Sequence, residues 1–229
     1  MCFSLEADLV AGAVLLPVGV VALREVRLAR ELPFASLPLL FAFHQFVEAV
    51  VWAGTTGAVS PDVQYVAAMA YLIFAFAILP ILLPLAVLLL EPWGLRLRVA
   101  PFVALGAVVA TYFTEAVLTG PIQVIVKPYA LVYFTALSDE VLWTGLYIVA
   151  VIGPSLLSGY RSIVAFGVAN LVGLCVVGLV YAEAFASLWC VWAALSSLFI
   201  AVHMVRRRRL SDSDRLRGRP QLLASSDAS

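Results

Sequence analysis

The sequence predicts an all-α integral membrane protein: a seven-transmembrane-helix bundle with its N-terminus outside and its C-terminus cytoplasmic. Three observations predict it: the apolar composition, a run of apolar stretches of spanning length, and a one-sided distribution of basic residues. Of 229 residues, 64% are hydrophobic and 12% charged, against about 25% charged in soluble domains. The mean hydropathy is +1.06. A soluble globule of this length cannot hide so much apolar surface. The composition excludes a cytosolic enzyme, a nucleic-acid module and a disordered chain. A spanning helix takes roughly 20 apolar residues, so the chain has room for about seven.

The expected spans run over 5–23, 34–54, 64–90, 99–118, 139–158, 162–182 and 186–205. Basic residues follow the first apolar stretch, beginning at Arg24, whereas a signal peptide carries its charge before it; the N-terminus is expected to be retained. The third span is long and contains Pro80 and Pro84, which predict a bend because proline removes a backbone donor. Orientation follows from the arginines after spans one, three, five and seven. All but one of the 14 basic residues, Lys127, then fall on the cytoplasmic side.

Between spans four and five, residues 119–138 contain Pro121, Lys127 and Pro128. Ile122, Val124 and Val126 alternate, as do Tyr129, Leu131 and Tyr133, which is strand periodicity. An outer hairpin or lid over the helices is expected here. Residues 1–205 form the membrane domain, and 206–229 a basic, disordered cytoplasmic tail. Its leading run, Arg206 to Arg209, suits anchorage at anionic lipid.

His44, Gln45 and Glu48 carry the most pointed chemistry. His44 lies about ten residues into span two, roughly 15 Å deep at 1.5 Å per residue. Glu48 is one turn further out on the same face. Ionisable groups at such depth face the bundle interior and mark functional sites. Burial favours the neutral forms and mutual attraction the charged ones, so both a shared proton and an ion pair fit. Polar contact between helices, aided by Gln45, is the bland alternative. With only two histidines, a three-ligand catalytic zinc site is not expected. His203, near the inner end of span seven, reads as a snorkelling or helix-terminal residue.

Acids collect on the other side: Glu6, Asp8, Asp62, Glu115, Asp139, Glu140 and Glu183 lie at the outer ends of spans. Either they sit where basic residues are excluded, or they form a vestibule that attracts a cation or proton. In the second case Glu115 and Glu140 converge with Glu48 beneath the lid. Cys2 and Cys190 share the outer half, where a disulfide is permitted and ordinary packing is the commoner outcome; Cys175 reads as a small core residue. In span six Ala165, Ala169 and Gly173 allow close helix approach, and Asn170 can bond across it.

The chain also resembles a bacterial family of small multi-span membrane proteins of unknown function whose members begin Met-Cys-Phe-Ser. The matching pieces are Met1 to Ser4, Leu37 to Phe41, His44-Gln45 with Glu48 and Trp52, Glu91-Pro92, Leu156 to Ser158 and Ser187 to Cys190. Ala49 stands where glycine is expected after the Glu of the His-Gln piece. The resemblance implies an integral membrane protein and transfers no activity; the localisation expected for the chain is the cell inner membrane, multi-pass.

No cofactor, metal or nucleic-acid partner is expected; there is no phosphate loop, serine elbow or basic groove. The partners expected are the lipid bilayer and a small-molecule or cation ligand. The first functional expectation is binding or transport of a small molecule, cation or proton through a polar pocket in the outer half. His44, Gln45, Glu48, Glu115 and Glu140 are its candidate residues. The alternatives are a membrane-embedded lipid-modifying enzyme, with His44 and Glu48 as acid and base, and a sensor or assembly subunit. The balance leans away from an enzyme.

Overall fold

The computed structural model describes residues 4–127, 130–134, 138–180, 192, 194 and 196–209. It is mostly helical. Helix α1 spans Leu5–Arg24, α2 Leu32–Thr55, α3 Pro61–Leu72 and α4 Leu79–Leu90. Then come α5 (Arg96–Thr119), strands β1 (Gln123–Lys127) and β2 (Ala130–Phe134), α6 (Glu140–Leu156), α7 (Arg161–Val180) and α8 (Leu198–Arg208). Four helical stretches are long and apolar enough to cross a membrane: Leu5–Arg24, Ala29–Thr55, Pro61–Leu90 and Arg96–Thr119. They match the first four expected spans closely. Helices α6 and α7 are apolar but shorter; residues 186–191, 193 and 195 of the expected seventh span lie outside the described residues, as do Cys2, Glu183, Cys190 and residues 210–229.

Local chemistry starts the helices where the chain predicts. The Ser4 hydroxyl accepts from the Ala7 N–H at 3.3 Å, a capping contact for α1. Ser60 accepts from the Val63 N–H in the same way, with Pro61 in the first turn of α3. Helices α1 and α2 run antiparallel: Gly12 faces the Phe46 ring, and Gly19 faces the Leu39 backbone. A Cβ at position 19 would lie 2.6 Å from the Leu39 nitrogen, so only glycine permits this approach. Helix α2 packs against α1, α3, α4 and α8, and α4 to α8 pack in succession around it.

The proline-rich third span contains a π-helical segment, Ile73–Ile78, joining α3 to α4. Leu79 N–H bonds the Phe74 carbonyl, five residues back. The Ala75 carbonyl is thereby released, and the buried Tyr147 hydroxyl of α6 donates to it at 2.9 Å. Pro84 has no N–H to offer the Pro80 carbonyl. Helix α5 places Gly106 directly against that oxygen, where a Cβ would collide with it. One sequence feature, two prolines in a span, thus decides how α4, α5 and α6 meet.

Strands β1 and β2 form an antiparallel hairpin with Lys127 opposite Ala130 and Gln123 opposite Phe134. Leu131 is fully buried among Val51, Trp52 and Ala68, with Ile122, Val124 and Tyr133 packed around it. The hairpin therefore covers the end of the bundle where α2 finishes and α3 begins.

Candidate functional site

Beneath the hairpin, α2 presents His44, Gln45, Glu48 and Trp52 along one face, at spacings of one turn. All four are buried, Gln45 and Glu48 completely. Aromatic rings enclose His44. Tyr71 stacks on it with centroids 4.1 Å apart, and Tyr133 of β2 stacks on Tyr71 at 4.6 Å. Phe74, inside the π-helical segment, lies 4.6 Å from the imidazole on a tilted plane. The column runs from the hairpin through α3 to α2, so the lid and the third span both position His44. π-helical segments within helices are frequent at functional sites.

The polar atoms of this face are poorly served by the protein. His44 Nε2, both carboxamide atoms of Gln45 and the Trp52 indole nitrogen are buried without a hydrogen-bond partner among the described residues. Leaving a buried donor or acceptor unmade costs about 1–3 kcal/mol each. Trp52 only donates, Gln45 both donates and accepts, and the imidazole does either according to its tautomer. Among the described residues, no group of three or more His, Cys, Asp or Glu is arranged to hold a metal ion.

The acidic pattern splits. Glu6, Asp62, Glu115, Asp139 and Glu140 are exposed. Glu115 and Glu140 therefore do not share the burial of Glu48, and the expected convergence of three carboxylates beneath the lid is absent. Glu115 lies in the last turn of α5 and Glu140 in the first of α6, where both side chains project outward. Asp8, read only as a rim acid, is fully buried. The contacts of Gly12 with Phe46 and Gly19 with Leu39 set the α1–α2 register, which brings Asp8 level with the Glu48 turn. Its place on the inward face of α1, four residues before Gly12, was the available signal.

Over residues 1–215 the chain matches the Family of unknown function (DUF6629). The chain belongs to that family. No curated protein and no solved structure matches it. Membership in DUF6629 fits an uncharacterised, membrane-associated helical protein and assigns no activity.

The opposite end of this DUF6629 protein holds a second polar cluster that sequence inspection missed. Arg207 of α8 is 1% exposed and its Nε donates to Glu31 Oε1 at 2.7 Å. The other Glu31 oxygen accepts from the Arg27 and Leu28 N–H groups, closing the turn between α1 and α2. Arg207 also donates to the Tyr160 hydroxyl at 2.8 Å. Glu91, fully buried, accepts from the Ser158 hydroxyl and from the Gly159 N–H. Burial pushes its carboxyl above the ordinary value, while Ser158, Gly159, Arg207 and Arg98 pull it back. Burial opposes the charge on Arg207, but Tyr160 and Glu31 outweigh it and raise its pKa.

His203 belongs to this cluster. It is 2% exposed, its Nδ1 lies 2.6 Å from the Ser162 hydroxyl, and Phe34 and Tyr160 meet its ring edge-on. The expectation of a snorkelling side chain is corrected: α7 and the start of α2 enclose it. Two other expectations separate at α7. Asn170 bonds Ser196 at 2.9 Å, and Gly173 receives the Trp192 ring, so the small-residue face packs within the chain. Cys175, expected in the core, is exposed.

Proposed function

We propose that this is a multi-pass inner-membrane protein that takes up a proton or a small polar molecule in an occluded site. His44, Gln45, Glu48 and Trp52 form the site, and the hairpin is its cover. The observation that carries this is the set of buried, unpartnered polar atoms on one face of α2. Apolar surroundings make such atoms costly, and a guest or an exchanged proton offsets the cost. The donors at Trp52 and Gln45 favour a guest with acceptor atoms over a bare metal cation, which needs acceptors only. Orientation with the hairpin outside follows from the basic residues. It is supported by the meeting of the loops after α1, α4 and α6 with the end of α8, through Glu31, Glu91, Tyr160 and Arg207.

Infrared difference spectroscopy of the full chain in lipid, across about pH 4 to 8 around the ordinary carboxyl range, tests the site. A protonation-dependent carboxyl band that disappears in Glu48→Gln is expected. A spectrum unchanged by that substitution excludes Glu48 as an exchanging group and leaves the α2 face as polar packing. A second role, as a sensor subunit, is favoured by one observation: the aromatic column links the hairpin to the third span.

A further inference from the structure

The arginine-rich end brings together charges from the α1–α2 turn, the end of α4, the start of α5 and α8. Arg30 lies in the short helical turn Ala29–Glu31, which packs against α4. Arg96 opens α5 and reaches back over the end of α4. Its Nε donates to the Glu91 carbonyl at 3.1 Å, and a terminal nitrogen donates to the Leu89 carbonyl at 3.4 Å. Both acceptors are neutral, so these bonds fix the guanidinium in place without cancelling its charge. The charges of Arg96 and Arg207 both act on Arg30, and those of Arg98 and Arg207 both act on Glu91. Four arginines thus share one corner with two glutamates.

Both glutamates are committed inward. Glu31 is fully buried, and its oxygens accept from Arg207 Nε and from the N–H groups of Arg27 and Leu28. Glu91 is fully buried, and its oxygens accept from the Ser158 hydroxyl and the Gly159 N–H. Arg207, paired with Glu31, is buried with them. The other cations lie nearer the surface: Arg98 is exposed, and Arg30 and Arg96 are half-buried. Like charges within reach of one another repel, and an anion among them relieves the repulsion. A guanidinium presents a fixed fork of donors that matches the oxygens of a phosphate.

The level of the corner and its apolar flanks indicate where the phosphate comes from. The spanning stretches Ala29–Thr55 and Arg96–Thr119 start at this corner, and Pro61–Leu90 finishes at it. Lipid headgroups stand at this level, just outside the hydrocarbon core. Leu97, between Arg96 and Arg98, is 84% exposed, and Leu32, two residues after Arg30, is 50% exposed. A free anion gains nothing from exposed leucines, whereas acyl chains laid on them remove apolar surface from water.

We propose that this corner is a binding site for an anionic phospholipid. Arg30, Arg96 and Arg98 hold its phosphate, and Leu32 and Leu97 receive its acyl chains. Basic pockets between membrane helices take acidic headgroups in this way. The bound lipid bridges the α1–α2 turn and the start of α5 across the end of α4. It braces from outside the turn that the Glu31–Arg207 pair ties from inside. The site is separate from the α2 face beneath the hairpin and does not rest on it.

The test titrates the full chain, in a neutral detergent, with phosphatidylglycerol and counts bound lipid by native mass spectrometry. Phosphatidylglycerol is expected to bind at least about tenfold more tightly than phosphatidylcholine. Arg30→Gln and Arg98→Gln are each expected to weaken it about fivefold, the factor of one basic residue at an anionic surface. Arg30→Lys keeps the charge without the fork and is expected to fall between wild type and Arg30→Gln. Arg209→Gln removes the same charge from the run at the end of α8 and is expected to change binding little. Melting temperatures without added lipid check that each variant folds. If Arg30→Gln does not, Arg98→Gln against Arg209→Gln decides alone, since both side chains are exposed. Equal losses in those two variants overturn the site in favour of diffuse attraction to the whole end. Equal affinity for the two lipids overturns it outright. Displacement of phosphatidylglycerol by millimolar inorganic phosphate overturns the lipid as occupant, because phosphate alone then satisfies the arginines.

Discussion

Glu31 and Glu91 are loop glutamates by sequence position, yet each is fully buried and each closes a turn. Glu31 ties down the turn after α1 and Glu91 the turn after α6, and Arg207 is the cation paired with Glu31 away from water. Removing one partner of a buried pair costs about 3–5 kcal/mol, because the other charge is stranded. Arg207→Leu is accordingly expected to lower thermal stability in detergent by that amount. Arg208→Leu, acting on a pair with Glu25 whose arginine is 55% exposed, is expected to have a smaller effect. Glu91 gives a pH signature. Its native pKa is raised above 4.5 by burial, so the folded chain holds that proton more tightly than the unfolded chain does. The linked stability is fully present below about pH 4.5 and is lost as pH rises through the native value. Melting temperatures across this range should show wild type losing ground to Glu91→Gln as pH increases. A difference that stays constant with pH would mean that Glu91 does not titrate differently on folding.

At the scale of elements, the third span and the hairpin cooperate. The π-helical segment turns Phe74 towards His44 and frees the Ala75 carbonyl for Tyr147. The hairpin then lays Tyr133 over Tyr71. Stacked aromatic pairs contribute roughly 0.5–1.5 kcal/mol beyond their buried area, so the cover is held firmly but not irreversibly. Tyr133→Ala is expected to leave the fold intact and to increase the rate at which an imidazole-acylating reagent modifies His44, read by peptide mass spectrometry. His203, at the far end, serves as the internal reference and should be unchanged. Parallel increases at both histidines would point to general loosening instead of an opened cover.

For the whole molecule, the governing feature is polarity between its two ends. One end carries the hairpin and the exposed Asp62, Glu115 and Glu140; the other carries the arginines and the buried Glu31–Arg207 network. Accessibility tags after Ser60, within 119–138 and after Ser211 test the membrane orientation. The first two are expected to react from outside and the third only after the membrane is opened. An accessible tail with a protected 119–138 segment would reverse the topology. The same experiment bears on α6 and α7, whose described lengths fall short of the longer helices, because an even number of crossings would place both termini on one side.

Helix boundaries, the hairpin periodicity and the burial of His44, Gln45 and Glu48 were legible in the sequence, and the prolines of the third span signalled an irregularity that the structure places at Ile73–Ile78. Each depends on local chemistry: hydropathy over one span, a missing N–H, alternation over a few residues, or an ionisable group amid apolar neighbours. Only the tertiary structure decided the partners. Glu31 and Arg207 lie 176 residues apart, and nothing in either neighbourhood encodes the other. Tyr71 and Tyr133 meet because a hairpin folds back onto α3. Glu115 and Glu140 are exposed because the helix faces that carry them point away from the bundle. Periodicity states that a side chain lies on a face; which neighbour that face meets is fixed by the register between helices, and glycines such as Gly19 and Gly106 set that register by steric exclusion at contacts distant in sequence.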